Sequence, residues 1–179
     1  RKPLIKSISK NYKQVMSIAK NSEEIDPKSE EEIDKMIKKM EKKLKQTNIV
    51  FVVDATSSMK PYFGSVTNSI NRIIQNQEDL QLDDVKFGLV FYRDYDLADD
   101  KIYEVTDLTT NSNLIKQKLG AVECLTTKGY PEAQYYGLVK GLKEITWDKD
   151  ASNVVVLIGD CGNHNPDPKS YTLDMVVDI

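Results

Sequence analysis

The chain has 179 residues, of which 40% are hydrophobic and 30% charged, a balance typical of one globular domain with a small appendage. Its 25 basic and 28 acidic side chains give a formal net charge of −3, so charge provides no argument for nucleic acid or an anionic membrane as a partner. No apolar run has the length of a membrane span, so we expect no direct membrane insertion. The two cysteines, Cys124 and Cys161, form no disulfide framework, and they are either reduced thiols or one bridge.

The first 47 residues are predicted to form a helical hairpin. Apolar residues recur at helical spacing over residues 4–19 and again over residues 29–46. Ser29 and Glu32 form a capping box at the start of the second helix, and Pro27 lies in the turn between the two. The apolar stripes indicate packing surfaces rather than a cofactor site.

From Asn48 onwards strands and helices alternate. We predict strands at 49–53, 85–92, 102–105 and 153–158, and helices that start near Pro61, run over 114–119 and start at Pro131. This order predicts an α/β fold with a doubly wound, mostly parallel sheet over residues 48–179.

The end of the chain is predicted to be the start of a helix, from Tyr171 to Ile179. The strand at 154–158 is apolar on both faces, as in the centre of a sheet, yet no further strand follows it. We therefore expect the domain to be incomplete at its C-terminus. The first residue is Arg1 rather than Met, which favours a fragment or a processed product and leaves the compartment open.

Two of the predicted parallel strands end in an aspartate, namely Asp54 and Asp160. In a parallel sheet both carboxylates emerge at the same edge, where open α/β sheets bind their ligands. The loop after the first strand adds the hydroxyls of Thr56 and Ser58, so three hard oxygen donors lie two residues apart. Such donors suit Mg²⁺ above all.

The sequence resembles a von Willebrand factor type A (vWA) domain with a metal-ion-dependent adhesion site. Within that family it is similar to a subgroup found in bacterial and kinase-linked proteins. The resemblance covers about residues 48–179 and is carried by four motifs in order: Asp54-x-Thr56-x-Ser58, Tyr92-Arg93-Asp94, Gly129-Tyr130-Pro131-Glu132-Ala133, and Leu157-Ile158-Gly159-Asp160 followed by His164.

The resemblance implies a doubly wound fold and an adhesion-type, protein-binding function. It implies a divalent cation, Mg²⁺ or else Mn²⁺ or Ca²⁺, ligated by the hydroxyls of Thr56 and Ser58 and by Asp54 and Asp160 directly or through water. A partner protein would supply an acidic side chain to the open position of the metal. Gly129 stands where the family places a threonine or aspartate, so Thr127 or Thr126 would have to supply that ligand; otherwise the site is weakened or degenerate.

Two other functions stay open. The domain could be a regulatory or scaffold part of a larger kinase-linked or secretion-system protein, with a vestigial metal site. A metal-dependent hydrolase would need a general base near the metal, and only Asp94 or His164 could serve. We expect a binding domain rather than an enzyme, because the sequence contains no phosphate-binding glycine loop and no nucleophile–base pairing.

Overall fold

The computed structural model describes residues 46–79 and 84–179, together with Lys35 and Lys38. The helical hairpin predicted over residues 1–47 lies outside the described residues except at its last positions and these two lysines.

Four strands and four helices follow one another in the described part of the chain. The strands are β1 (Thr47–Asp54), β2 (Val85–Tyr92), β3 (Tyr103–Thr109) and β4 (Ser152–Ile158). The helices are α1 (Lys60–Asp79), α2 (Ser112–Ala121), α3 (Gln134–Lys143) and α4 (Leu173–Val177). Short 3₁₀ turns at Ser57–Met59 and Asp99–Lys101 precede α1 and β3.

The strands form one sheet in the order β3-β2-β1-β4. Strand β1 pairs in parallel with both β2 and β4, whereas β3 runs antiparallel to β2. The predicted α/β fold with a mostly parallel sheet is therefore confirmed.

Both faces of the sheet are covered, which explains why its central strands are apolar without alternation. On one face Phe51 and Phe87 pack in a cluster with apolar side chains of α1 and α2. On the other face Val52 and Val90 pack against Leu138 and other residues of α3.

Helix α3 lies unusually close to β2. A Cβ atom added at Gly141 would be 2.3 Å from Val90 Cγ1, and one at Gly137 would be 2.3 Å from Tyr92 Cβ. The two glycines, four residues apart, lie on the same face of the helix and let its backbone rest on the strand.

Most predicted boundaries agree with the structure within two or three residues, and that of β2 agrees at both ends. Strand β3 runs to Thr109 rather than ending at Val105, since its pairing with β2 extends it. Helix α3 begins at Gln134 rather than Pro131, because the preceding residues bind other loops: the Glu132 N–H donates to Gly162 O and the Ala133 N–H to Arg93 O.

In the described part of the chain β4 is an edge strand with apolar side chains on both faces. Val154, Val155 and Leu157 are 41%, 42% and 44% exposed. Among the described residues no helix is both long and apolar enough to cross a membrane.

Candidate metal centre

The site is built on the loop that follows β1 at the carboxyl edge of the sheet. Asp54 ends the strand and its side chain is fully buried, at 0% exposure. The next residue, Ala55, donates its N–H to Tyr92 O of the neighbouring strand, so the loop leaves the sheet in a fixed direction. The 3₁₀ turn at Ser57–Met59 then leads into α1.

Hydrogen bonds join the oxygens of this loop into one chain. Asp54 Oδ1 accepts from the Thr56 N–H at 2.8 Å and from the Thr56 hydroxyl at 2.7 Å. Thr56 Oγ1 is 3.0 Å from Ser58 Oγ, and the Ser58 hydroxyl donates to Asp160 Oδ1 at 3.1 Å. The four predicted ligands Asp54, Thr56, Ser58 and Asp160 are therefore brought together.

Gly159 allows the end of β4 to approach Asp54. A Cβ atom at this position would be 2.4 Å from the Tyr92 hydroxyl oxygen and 3.3 Å from Asp54 Cβ. Position 159 therefore requires glycine, because a side chain there would collide with Tyr92. The close approach places the Asp160 carboxylate beside the loop that follows β1.

The site is an accumulation of negative charge in a poorly solvated place. Burial raises the pKa of Asp54, and the neighbouring Asp160 carboxylate raises it further, against the hydrogen bonds from Thr56. Burial, with the charges of Asp54, Glu132 and Asp160, raises the pKa of the Cys161 thiol to about 12. The thiol therefore stays protonated at neutral pH.

The donor set fits a hard divalent cation. Asp54 Oδ2 is buried and has no hydrogen-bond partner, which is costly for a carboxylate oxygen unless a cation or solvent satisfies it. One ligand atom each from Asp54, Asp160 and Cys161 lie within 4.8 Å of one another. Carboxylate and hydroxyl oxygens suit Mg²⁺ or Mn²⁺ better than a protonated thiol does.

The fifth predicted ligand, Thr127, makes a different contact. Its hydroxyl donates to Glu132 Oε1 at 3.1 Å. Its loop is nevertheless fixed against the first one, because the Leu125 N–H donates to Ala55 O and Leu125 forms a parallel bridge with Thr56. Ser58 lies two residues after Thr56 in the first loop, and Thr127 lies two residues after Leu125 in the second.

Gly129 has a backbone φ of +126°, a conformation that side chains disfavour. Gly129 supplies no side-chain ligand, and the positive φ explains why glycine occupies this position. An aspartate at this position would be strained.

Arg93, which directly follows β2, is a buried cation at 1% exposure. Its guanidinium donates to the carbonyls of Glu123 and Lys101 and pairs with Glu104 at 2.7 Å. Arg93 thus ties three segments together and partly offsets the charge of Asp54, whose pKa it lowers.

The loop after β4 is attached to the loop after β2. His164 Nε2 is 2.6 Å from Asp94 Oδ1, and the His164 ring packs on Tyr95. The Tyr95 hydroxyl donates to both oxygens of Asp167. These contacts order the segment that carries Asp160.

Both cysteines are free, half-buried thiols, and they lie in the loops next to the site. From the sequence, Tyr130 and Glu132 were named only as members of a motif, and no role was predicted for either. In the structure the Tyr130 hydroxyl donates to Asp160 Oδ2 at 3.3 Å. The position of Glu132 directly after Pro131 was visible in the sequence. The burial of its side chain was not, because that burial depends on three loops that meet only in the folded protein.

Three comparisons place the chain among known proteins. Residues 31–178 match the family described as the TssR protein VWA domain. The chain is 26% identical over 156 residues to the alpha-protein kinase vwkA of Dictyostelium discoideum, covering 85% of this chain and 24% of that protein. The chain thus spans about a quarter of that curated relative.

The fold is also similar to that of a solved bacterial protein. The pilus adhesin SpaC from Lactobacillus rhamnosus GG aligns with 64% of this chain and 15% of its own, at 20% identity and a TM-score of 0.53. Its open conformation gives a TM-score of 0.50 at 21% identity, with 64% of this chain and 14% of that one covered.

Proposed function

Because the chain belongs to the TssR protein VWA domain family, we propose that it is a protein-binding domain that captures an acidic side chain of its partner through a divalent cation. The cation is Mg²⁺ or Mn²⁺, held by Asp54, Thr56, Ser58 and Asp160, with Thr127 as a further ligand. A vWA fold with an adhesin among its structural neighbours is compatible with a protein-interaction role.

The observation that carries the proposal is the unpartnered Oδ2 of the fully buried Asp54. The other oxygen of the same carboxylate is saturated by Thr56, and the hydroxyl of Ser58 connects it to a second carboxylate. A cation at Oδ2 would compensate the negative charge that burial and Asp160 make unfavourable.

The protein supplies fewer strong ligands than an octahedral ion needs, so Mg²⁺ would keep waters and one replaceable position. A carboxylate that binds the ion through a water molecule, rather than directly, leaves the charge of the cation incompletely offset. A partner carboxylate that replaces a water would therefore gain a charge-assisted contact in a poorly solvated place.

One observation favours an alternative, a regulatory or scaffold domain with a degenerate metal site. Gly129 contributes no side chain to the site, and at its φ of +126° a residue with a side chain would be strained. The kinase relative, in which the matched region is about a quarter of the protein, is compatible with such a role.

We propose a binding role rather than catalysis. The general base of a hydrolase would have to be Asp94 or His164, and neither belongs to the group of Asp54, Asp160 and Cys161 whose ligand atoms lie close together. Release of product from a generic phosphoester in the presence of Mg²⁺ would overturn this assignment.

Calorimetric titration with Mg²⁺ and Mn²⁺ tests the proposal. Asp54→Asn keeps an oxygen that accepts from Thr56 but removes the charge, so we expect it to fold and to lose most of its metal affinity. Asp84→Ala is the matched control, since Asp84 is exposed and precedes β2 at the opposite edge of the sheet. Equal metal affinity in wild type and Asp54→Asn would exclude the assignment, and no measurable affinity in wild type would favour the degenerate site.

A further inference from the structure

We propose that Glu132 is a positioning residue that fixes the Thr127 hydroxyl as a metal ligand and braces the loops around the site. This inference rests on the proposed metal-binding function and adds to it a residue outside the predicted ligand set.

The backbone of Glu132 lies where three loops meet. Its N–H donates to Gly162 O at 3.2 Å, and Glu132 forms a parallel bridge with Asn163, just beyond Asp160. The next residue, Ala133, donates its N–H to Arg93 O at 3.0 Å. The segment therefore connects the loop after β2 with the loop after β4.

The side chain of Glu132 turns inward, at 1% exposure, to the third loop. Its Oε1 accepts the Thr127 hydroxyl proton at 3.1 Å. A hydroxyl has one proton to donate and two lone pairs. With its proton directed to Glu132, the Thr127 oxygen keeps its lone pairs for a cation, whereas a freely rotating hydroxyl would direct its proton there part of the time.

Nothing about Glu132 suggests an ordinary ion pair. Among the described residues it has no basic partner, and its Oε2 is buried without a hydrogen bond. Burial, together with the carboxylates of Asp94, Asp54 and Asp96, raises the pKa of Glu132 to about 8. A buried carboxyl group without a basic partner is costly, so a merely structural role would favour an apolar residue at this position.

The test is a double-mutant cycle on Mg²⁺ affinity with Thr127→Val and Glu132→Ala. Losing a side chain that orients a ligand typically lowers metal affinity about 10-fold or more. We expect each single variant to lose affinity and the double variant to lose no more than Thr127→Val alone, because Glu132 acts through that hydroxyl. Thr110→Val is the matched control and should bind as wild type does, because Thr110 is exposed and follows the end of β3 at the opposite edge of the sheet.

Glu132→Gln separates positioning from general packing. Its amide oxygen still accepts from Thr127, so we expect affinity within about 2-fold of wild type, a difference of about 0.4 kcal/mol. The same cycle run on urea unfolding in EDTA gives a second readout, in which the two positions should be coupled without metal.

The outcomes distinguish this inference from the proposed function. If Asp54→Asn abolishes binding but the losses at Thr127 and Glu132 add, or if Glu132→Gln is as damaging as Glu132→Ala, the positioning role is wrong and the metal site stands. If wild type does not bind Mg²⁺ or Mn²⁺, both proposals fail.

Discussion

Replacing Gly141 by alanine should destabilise the protein, although alanine is the better helix former. The added Cβ would lie 2.3 Å from Val90 Cγ1 and 2.9 Å from Val90 Cγ2. Val90 is fully buried in β2, and its β-branched side chain has little freedom to rotate away. Helix α3 would have to move outward by about 1 Å to restore an ordinary contact distance.

The magnitude follows from two opposing effects. Overpacking of a well-packed core typically costs about 1–3 kcal/mol, and the overlap at Gly141 is severe enough for the upper end. Alanine regains up to about 1 kcal/mol of helix propensity. We therefore expect a net loss of about 2 kcal/mol in the free energy of unfolding, or about 4–8 °C in Tm for a chain of this size.

Gly64→Ala is the matched control. Gly64 lies in α1 with no atom within 4 Å of its added Cβ, so only the helix propensity changes there. We expect this variant to gain about 0.5–1 kcal/mol. The same substitution in two helices should thus have opposite signs.

Urea unfolding followed by fluorescence measures both variants. Trp147 is the single tryptophan, and its indole N–H donates to Leu142 O at 3.0 Å, so it reports on the α3 side of the core. Combining Gly141→Ala with Val90→Ala should cost less than the sum of the two changes, because the second removes the overlapping methyls. A Gly141→Ala variant as stable as wild type would refute the close packing of α3 on β2.

Three further predictions concern the loops around the site. Gly129→Asp should not tighten Mg²⁺ binding in a calorimetric titration, and it should lower stability by about 1–3 kcal/mol, because aspartate is strained at a φ of +126°. Arg93→Lys should cost about 2–4 kcal/mol in urea unfolding, since an ammonium cannot reproduce the guanidinium contacts to separate segments. The variant Asp167→Asn tests the pH dependence of stability. Burial raises the pKa of Asp167, but hydrogen bonds from Asn163, Tyr95 and nearby backbone N–H groups have the larger opposite effect. The pKa of Asp167 is therefore lowered below its ordinary value of 3.8. The ionised carboxylate therefore stabilises the fold above that pH. In thermal melts the difference in Tm between wild type and the variant should shrink as pH falls below about 4. A difference in Tm that grows on acidification would contradict this.

The sequence by itself determined the features that depend on neighbouring residues. An apolar run bounded by polar residues gave both ends of β2, and the same pattern located β1 and β4 to within two residues. The Asp54 loop was also predictable, because Asp54 and Thr56 hydrogen-bond each other two residues apart and need no distant partner.

Only the tertiary structure decided which distant groups meet. Ser58 bonds to Asp160 across 102 positions, since the sheet order sets β4 beside β1. Glu132 is polar and charged in the sequence, yet three converging loops bury it against Thr127 and delay the start of α3. Local pattern cannot reveal such burial, because the exposure of a side chain depends on the chain segments that pack around it rather than on the residues next to it.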